Sequence, residues 1–228
     1  MSQITFKRPD GQDCAGYLVE PKAGSSAPGV VVIQEWWGFN DQIKGVAARY
    51  ASLGYRALIP DLYRGKVGLD AKEAEHLMSS LNFGEAAGLD VRGAVQHLKR
   101  TSKKAGVTGY CMGGALTLLA AANVPELDAA AAWYGFPPLD YLDATKIKAP
   151  LLGHFATDDS YFPIATVAEL ERKLDAAGTR YEFHRYVAQH AFANEVPPDP
   201  KVATRYDAKA ADTAWKRTVA FFDRHLKS

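Results

Sequence analysis

The densest chemistry in the chain lies in Val107-Thr108-Gly109-Tyr110-Cys111-Met112-Gly113-Gly114-Ala115. The segment reads as a strand end, a turn too tight for ordinary side chains, and the opening of a helix, with a cysteine at the apex. This is the G-x-C-x-G form of a nucleophile elbow, in which a strained strand-to-helix turn pushes the nucleophile out at the top of a sheet. Gly109 and Gly113 flank Cys111 because a Cβ at either place would collide with neighbouring backbone. The first amides of the following helix would point at the sulfur. A thiolate and an oxyanion would then both sit near positive dipole ends.

A nucleophilic cysteine needs a group that takes its proton, and that group needs another to fix its ring. With an elbow at Cys111, the acid and the histidine should follow in that chain order, each just after a strand. After the apolar run 150–155 comes Ala156-Thr157-Asp158-Asp159-Ser160-Tyr161-Phe162-Pro163, and after 181–186 comes Val187-Ala188-Gln189-His190-Ala191-Phe192. His190 is the candidate general base. Asp158 and Asp159 compete for the orienting role, and the other of the pair is expected to cap a helix beginning near Pro163. His76, His97 and His225 fall on helical patterns and are expected at the surface. His184 lies within a strand, and His154 ends one with no partner assignable from sequence. Glu35 follows a strongly apolar strand and precedes Trp36-Trp37-Gly38-Phe39, which aims a carboxylate at an aromatic pocket. The end of the first long strand is also where such an arrangement draws its second oxyanion donor. The backbone N–H groups of Trp36 and Met112 are therefore the expected oxyanion hole.

These residues need a scaffold that brings strand ends together. From about residue 28 the pattern alternates strand and helix. Residues 4–7 and 14–20, around the turn Pro9-Asp10-Gly11, predict an N-terminal hairpin. Gly29-Val30-Val31-Val32-Ile33-Gln34 is a continuous β-branched run of the kind buried on both faces. Further strands are expected over 55–60, 128–134, 149–155 and 181–186. Helices are expected over 41–53, capped by Asn40, and over 70–81, 84–100, 163–177 and 207–226. Such alternation requires crossover connections and predicts an α/β fold with a mostly parallel sheet covered by helices on both faces. Ligands in these sheets lie outside the carboxyl ends of the strands.

The chain has 228 residues, 47% hydrophobic and 23% charged, a balance that suits a sizeable core in one α/β domain over 1–228. A formal charge of +1 offers no electrostatic case for nucleic acid or an anionic membrane. No apolar run approaches the roughly 18 residues that would span a bilayer. The N-terminus lacks a basic region followed by an apolar one, so export is not expected. Two cysteines, Cys14 and Cys111, fit a reducing, cytoplasmic setting better than a disulfide framework. Metal-ligand spacings such as His-x-x-x-His are lacking, and neither a metal nor a cofactor is expected.

With these residues placed, the chain resembles the dienelactone hydrolases (carboxymethylenebutenolidases) of the α/β-hydrolase fold. The resemblance spans nearly the whole chain. It is carried by Val32-Ile33-Gln34-Glu35-Trp36-Trp37-Gly38-Phe39-Asn40, by Pro60-Asp61-Leu62-Tyr63, by Gly109–Ala115, by Asp159 with Pro163 four residues on, and by His190-Ala191-Phe192. It implies a triad of Cys111, Asp159 and His190, and favours Asp159 over Asp158. It further implies that Glu35 holds the resting thiol neutral and helps to deprotonate it when substrate arrives. That arrangement would shield the sulfur from oxidants until it is needed. The chain departs from the family in its arginines. The position four residues after the histidine, where the family's archetypes hold a carboxylate with arginine, is Asn194. The stretch 70–81 has only Lys72 and His76 as basic residues. Arg64 and Arg185 could replace the missing guanidinium groups from other directions, but each reads first as an ordinary surface charge. With a bidentate clamp lost, a dienelactone itself is expected to be a poor substrate or not the substrate at all.

The expected activity is hydrolysis of a small-molecule ester or lactone through a thioester on Cys111, by a monomer or weak homodimer. Trp36, Trp37, Phe39, Tyr134, Phe136 and Phe192 are the candidate pocket walls. Thioester hydrolysis and attack on phosphorus esters are related readings. A redox-sensing thiol without turnover is a further alternative, although sensing needs no ordered Cys, Asp and His set.

Overall fold

The computed structural model describes residues 1–22, 24–195 and 205–228. The strands are β1 (Ser2–Lys7), β2 (Asp13–Val19), β3 (Gly29–Ile33), β4 (Arg56–Pro60), β5 (Ala105–Tyr110), β6 (Ala129–Trp133), β7 (Leu151–Asp158) and β8 (Tyr181–Gln189). They form one eight-stranded sheet in the order β1-β2-β4-β3-β5-β6-β7-β8. The N-terminal hairpin joins β4 antiparallel, and every pairing from β4 to β8 is parallel. The helices are α1 (Asp41–Ser52), α2 (Ala71–Ser79), the short α3 (Phe83–Glu85), α4 (Arg92–Lys99), α5 (Met112–Asn123), α6 (Ile164–Ala176) and α7 (Ala208–Leu226). Among the described residues no helix is long and apolar enough to cross a membrane.

The two faces of the sheet can be traced along β3. Val31 and Ile33 enter a core with Leu98, Leu116, Leu170 and Leu174. Val30 and Val32 enter the opposite core with Ile43, Tyr50, Phe221 and Phe222. A strand with both faces covered has no polar side to show, which explains its unbroken β-branched run. Asn40 caps α1 as expected, its side chain accepting from the Ile43 N–H at 3.2 Å, a contact worth ~1 kcal/mol. The single helix expected over 84–100 is instead α3, a π-helical stretch over Ala86–Val91, and α4. Within that stretch Asp90 is buried and accepts from two guanidinium groups: Arg64 Nη2 donates to both of its carboxylate oxygens at 2.9 Å, and Arg8 Nη1 donates at 3.3 Å. The wider turn of a π-helix re-aims side chains relative to an α-helix.

Register decides what meets at the carboxyl edge. Ile33 pairs with Gly109, so Glu35 and Cys111, each two residues further on, leave adjacent strands at the same level. A bulge near Ala156 in the β7–β8 ladder brings Asp158 opposite Gln189. Asp159 and His190 therefore emerge side by side.

His154, without an assignable partner in the sequence, is fully buried between β7 and α7. Its Nδ1 accepts from the Tyr186 hydroxyl at 2.9 Å, and that hydroxyl accepts from Arg217 at 3.0 Å. Its Nε2–H donates at 2.8 Å to Thr218 Oγ1, whose own proton goes to the Ala214 carbonyl. This direction of donation requires a neutral ring. Burial holds its pKa well below the usual histidine value, with His184 and Arg217 adding to the effect. The unfolded chain therefore binds a proton that the native state refuses once pH falls below about 6.5, and stability is lost on that side. The melting temperature should decline between pH 7.5 and 5.5, and His154→Gln should flatten the decline. Equal slopes in the two proteins would exclude His154 as the cause.

Candidate active site

Cys111 sits between β5 and α5 at φ 56° and ψ −117°. That is a left-handed backbone for a residue with a side chain, costing about 1–3 kcal/mol. Neighbours pin it there. Its N–H donates to the Trp133 carbonyl at 3.0 Å, and its carbonyl accepts from Gly114 at 2.8 Å and Ala115 at 3.2 Å. A Cβ on Gly113 would lie 2.6 Å from the carbonyl oxygens of Ile33 and Gln34, and one on Gly109 would meet the Gly113 carbonyl. Gly135, which the sequence does not single out, is as constrained, since its Cβ would run into the Cys111 carbonyl.

His190 reaches this sulfur from the far side of the sheet. Its Nε2 is 3.1 Å from Cys111 Sγ, and its Nδ1 is 2.8 Å from Asp159 Oδ2. The ring is held by Tyr134 edge-on at 5.3 Å, Phe162 stacked at 5.4 Å and Tyr161 at 5.0 Å. Asp159 is buried, and its other oxygen accepts from the N–H groups of Tyr161 and Phe162, both at 2.9 Å. Asp158 is exposed. It does not cap α6, which starts after Pro163 with no side-chain cap. Burial disfavours the charged imidazole, but negative charge at Cys111 and the bond to Asp159 outweigh it, and the His190 pKa is raised. An array of this geometry can pass a proton between sulfur and ring and keep the resulting charges paired.

Glu35 is buried beside the ring, and burial raises its pKa against the opposing pull of His190. Its oxygens are occupied by the Tyr134 hydroxyl at 3.1 Å and the Asn194 carboxamide at 2.6 Å. The resemblance implied a glutamate holding the resting thiol; here the thiol faces His190, and Tyr134 and Asn194 hold the glutamate. Asn194, at the position of the family's arginine, thus serves Glu35. Trp36 and Met112 both line the cavity, and among the described residues neither backbone N–H has a hydrogen-bond acceptor.

The cavity above Cys111 is about 470 Å³. Trp36, Trp37 and Phe136 line it, as expected. Three other expected walls are elsewhere. Phe39 stacks on Tyr17 at 3.6 Å, outside the cavity. Tyr134 and Phe192 are fully buried in the core shared with α1 and α7 and support the site from beneath. The walls not anticipated are Met78 and Phe83 from the α2–α3 region, Pro137 and Pro138 after β6, Tyr161 and Phe162 after Asp159, and Arg205 with Tyr206 before α7. The Pro-Pro pair just past a strand's carboxyl end was a usable signal; Met78 and Phe83 resemble ordinary core positions. Neither arginine considered as a replacement clamp reaches the cavity. Arg64 pairs with Asp90, and Arg185 pairs with Glu171.

Comparison with known proteins agrees with this architecture. The family model described as "Dienelactone hydrolase family" matches residues 14–226. The chain is 34% identical over 237 residues to "Protein usf" of Aquifex pyrophilus, covering 99% of this chain and 100% of that one. It is 31% identical over 238 residues to a protein of Aquifex aeolicus provisionally named a carboxymethylenebutenolidase, covering 100% of both. A crystal structure from Klebsiella pneumoniae, provisionally assigned as a dienelactone hydrolase, superposes with a TM-score of 0.84 at 27% identity, covering 98% of this chain and 99% of that one. With its eight-stranded, mostly parallel sheet and its elbow at the carboxyl edge, the chain belongs to the dienelactone hydrolase family, within the α/β-hydrolase fold.

Proposed function

We propose that the protein hydrolyses carboxylic esters or lactones through a thioester on Cys111. The observation that carries this reading is the His190 ring spanning 3.1 Å to Cys111 Sγ and 2.8 Å to Asp159. In the first step the thiolate attacks the carbonyl carbon and the C–S bond forms. The developing oxyanion is met by the N–H groups of Trp36 and Met112, each worth ~3 kcal/mol in the transition state. The C–O bond breaks, and His190 gives its proton to the departing alkoxide. In the second step His190 takes a proton from water as the oxygen attacks the thioester. Sulfur leaves as thiolate, and the acid is released. Asp159 fixes the ring through Nδ1, leaving Nε2 free for both transfers. Glu35, held beside the ring by Tyr134 and Asn194, would in its carboxylate form favour the imidazolium partner of the thiolate.

4-Nitrophenyl acetate tests the mechanism. Wild-type protein should release a rapid burst of 4-nitrophenolate followed by steady turnover. Cys111→Ala should lose the burst and at least about 10³-fold in kcat/KM. Equal rates in the two folded proteins would rule out the covalent route.

The contact between His190 and Cys111 has its own test, because the thiolate is the species that alkylates. Burial pushes the Cys14 thiol up to about 12, so iodoacetamide near pH 7 should label Cys111 selectively. His190→Gln should slow that labelling by roughly tenfold or more. Unchanged labelling would show that the imidazole does not sustain the thiolate.

A further inference from the structure

The cavity has two unlike halves. To protonate the departing alkoxide, His190 Nε2 must reach its oxygen, so the leaving group belongs on the side of the His190 loop. That side carries Arg205 and Tyr206, and the Arg205 N–H donates to the His190 carbonyl at 3.2 Å. The acyl chain then extends toward Met78, Phe83 and Phe136, which line the cavity and pack with the core on one face of the sheet, whereas Tyr206 sits with Val46 and Trp215 on the other face. Glu75, exposed and three residues before Met78 on α2, is the charged group that α2 contributes to the cavity lining. The basic groups of α2 are turned elsewhere. Lys72 and His76 line a separate surface groove with Lys66 and Asp70. Asn194, which could otherwise have faced an anion, has its carboxamide bonded to Glu35.

Resting on the hydrolase reading above, we propose that the acyl half of this site selects uncharged, apolar acyl groups and that Glu75 rejects an acyl carboxylate. A carboxylate placed there would lose water against Met78, Phe83 and Phe136 with no cation beside them among the described residues to compensate it. It would also meet the like charge of Glu75. Glu75 is exposed, so its repulsion acts through water and is weakened by salt. Its share of the discrimination is therefore a factor of about five, with desolvation supplying the rest. Glu75 is a specificity determinant, acting on which substrate enters and not on the bond-breaking step.

Two substrates with one leaving group separate charge from size: mono-4-nitrophenyl glutarate and its methyl ester. Wild-type kcat/KM should favour the methyl ester by about tenfold or more. Glu75→Gln should cut that ratio several-fold, and Glu75→Lys should cut it further. Sodium chloride at 1 M should lower the wild-type ratio while changing the Glu75→Gln ratio less. A ratio indifferent to both substitutions would overturn the proposal, with hydrolysis itself intact. So would a wild-type preference for the monoester that Arg205→Gln removes, because the anion would then be received on the other side. Release from neither ester, with no burst, would instead overturn the hydrolase reading and this proposal with it.

Discussion

A residue with a side chain stays at φ 56° only when its surroundings leave it no alternative. Cys111 is held there by the Trp133 carbonyl on one side and the first amides of α5 on the other. The close approach of Gly109, Gly113 and Gly135 leaves no room for the turn to relax. Much of the molecule follows from this constraint. The turn needs a rigid strand before it, and β5 is central, buried along its whole length and paired on both edges. It needs a helix locked behind it, and α5 is buried through almost all of its residues. The strain is thus stored in the most heavily packed part of the fold, where opening it would disrupt both cores.

The second requirement is reach. β5 and β8 are separated by β6 and β7, so their strand ends are three spacings apart, roughly 14 Å. The 3.1 Å approach of His190 to Cys111 requires the segment after β8 to turn back over the sheet. Ala191 takes a left-handed φ of 56° in doing so. Asp159 and the rings of Tyr134 and Phe162 then fix the imidazole in a setting that would otherwise favour its neutral form. Glu35 faces the same problem of a charge taken out of water, and two donors answer it. A buried charge that lost either partner would be expensive, so Tyr134 and Asn194 are part of the site's electrostatics although they lie outside the Cys111–His190–Asp159 contacts.

At the cavity the chain keeps the family's scaffold but carries Asn194 where the resemblance places an arginine. Asn194 retains a hydrogen-bond donor at its position but gives up the charge and the second donor of an arginine. That donor is directed inward to Glu35, not outward to a ligand. Rings, prolines and thioethers make up much of the cavity wall, and Glu75 and Arg205 line it as well.

Local patterns were enough to read the alternation of strands and helices, the hairpin, the Asn40 cap and the elbow, because each depends on residues within a few positions of one another. The ordered Cys, Asp and His set was legible for the same reason: each member follows its own strand. The choice between Asp158 and Asp159 was not local, since it turns on the bulge in the β7–β8 register that sends one carboxylate to solvent and the other to His190. Phe39, Tyr134 and Phe192 lie close in sequence to the site, yet one stacks on Tyr17 and two belong to the core. Periodicity cannot say which side of a strand-end loop a ring will occupy. The partners of Glu35 come from β6's end and the loop after β8, 99 and 159 residues away, and Met78 and Phe83 enter the cavity from α2 and α3. Sequence by itself determined that Cys111, Asp159 and His190 would each stand just past a strand, because a strand end and the turn after it are built from neighbours. Only the tertiary structure decided what surrounds them, because burial, pairing and pocket shape arise from residues the chain brings together across its length.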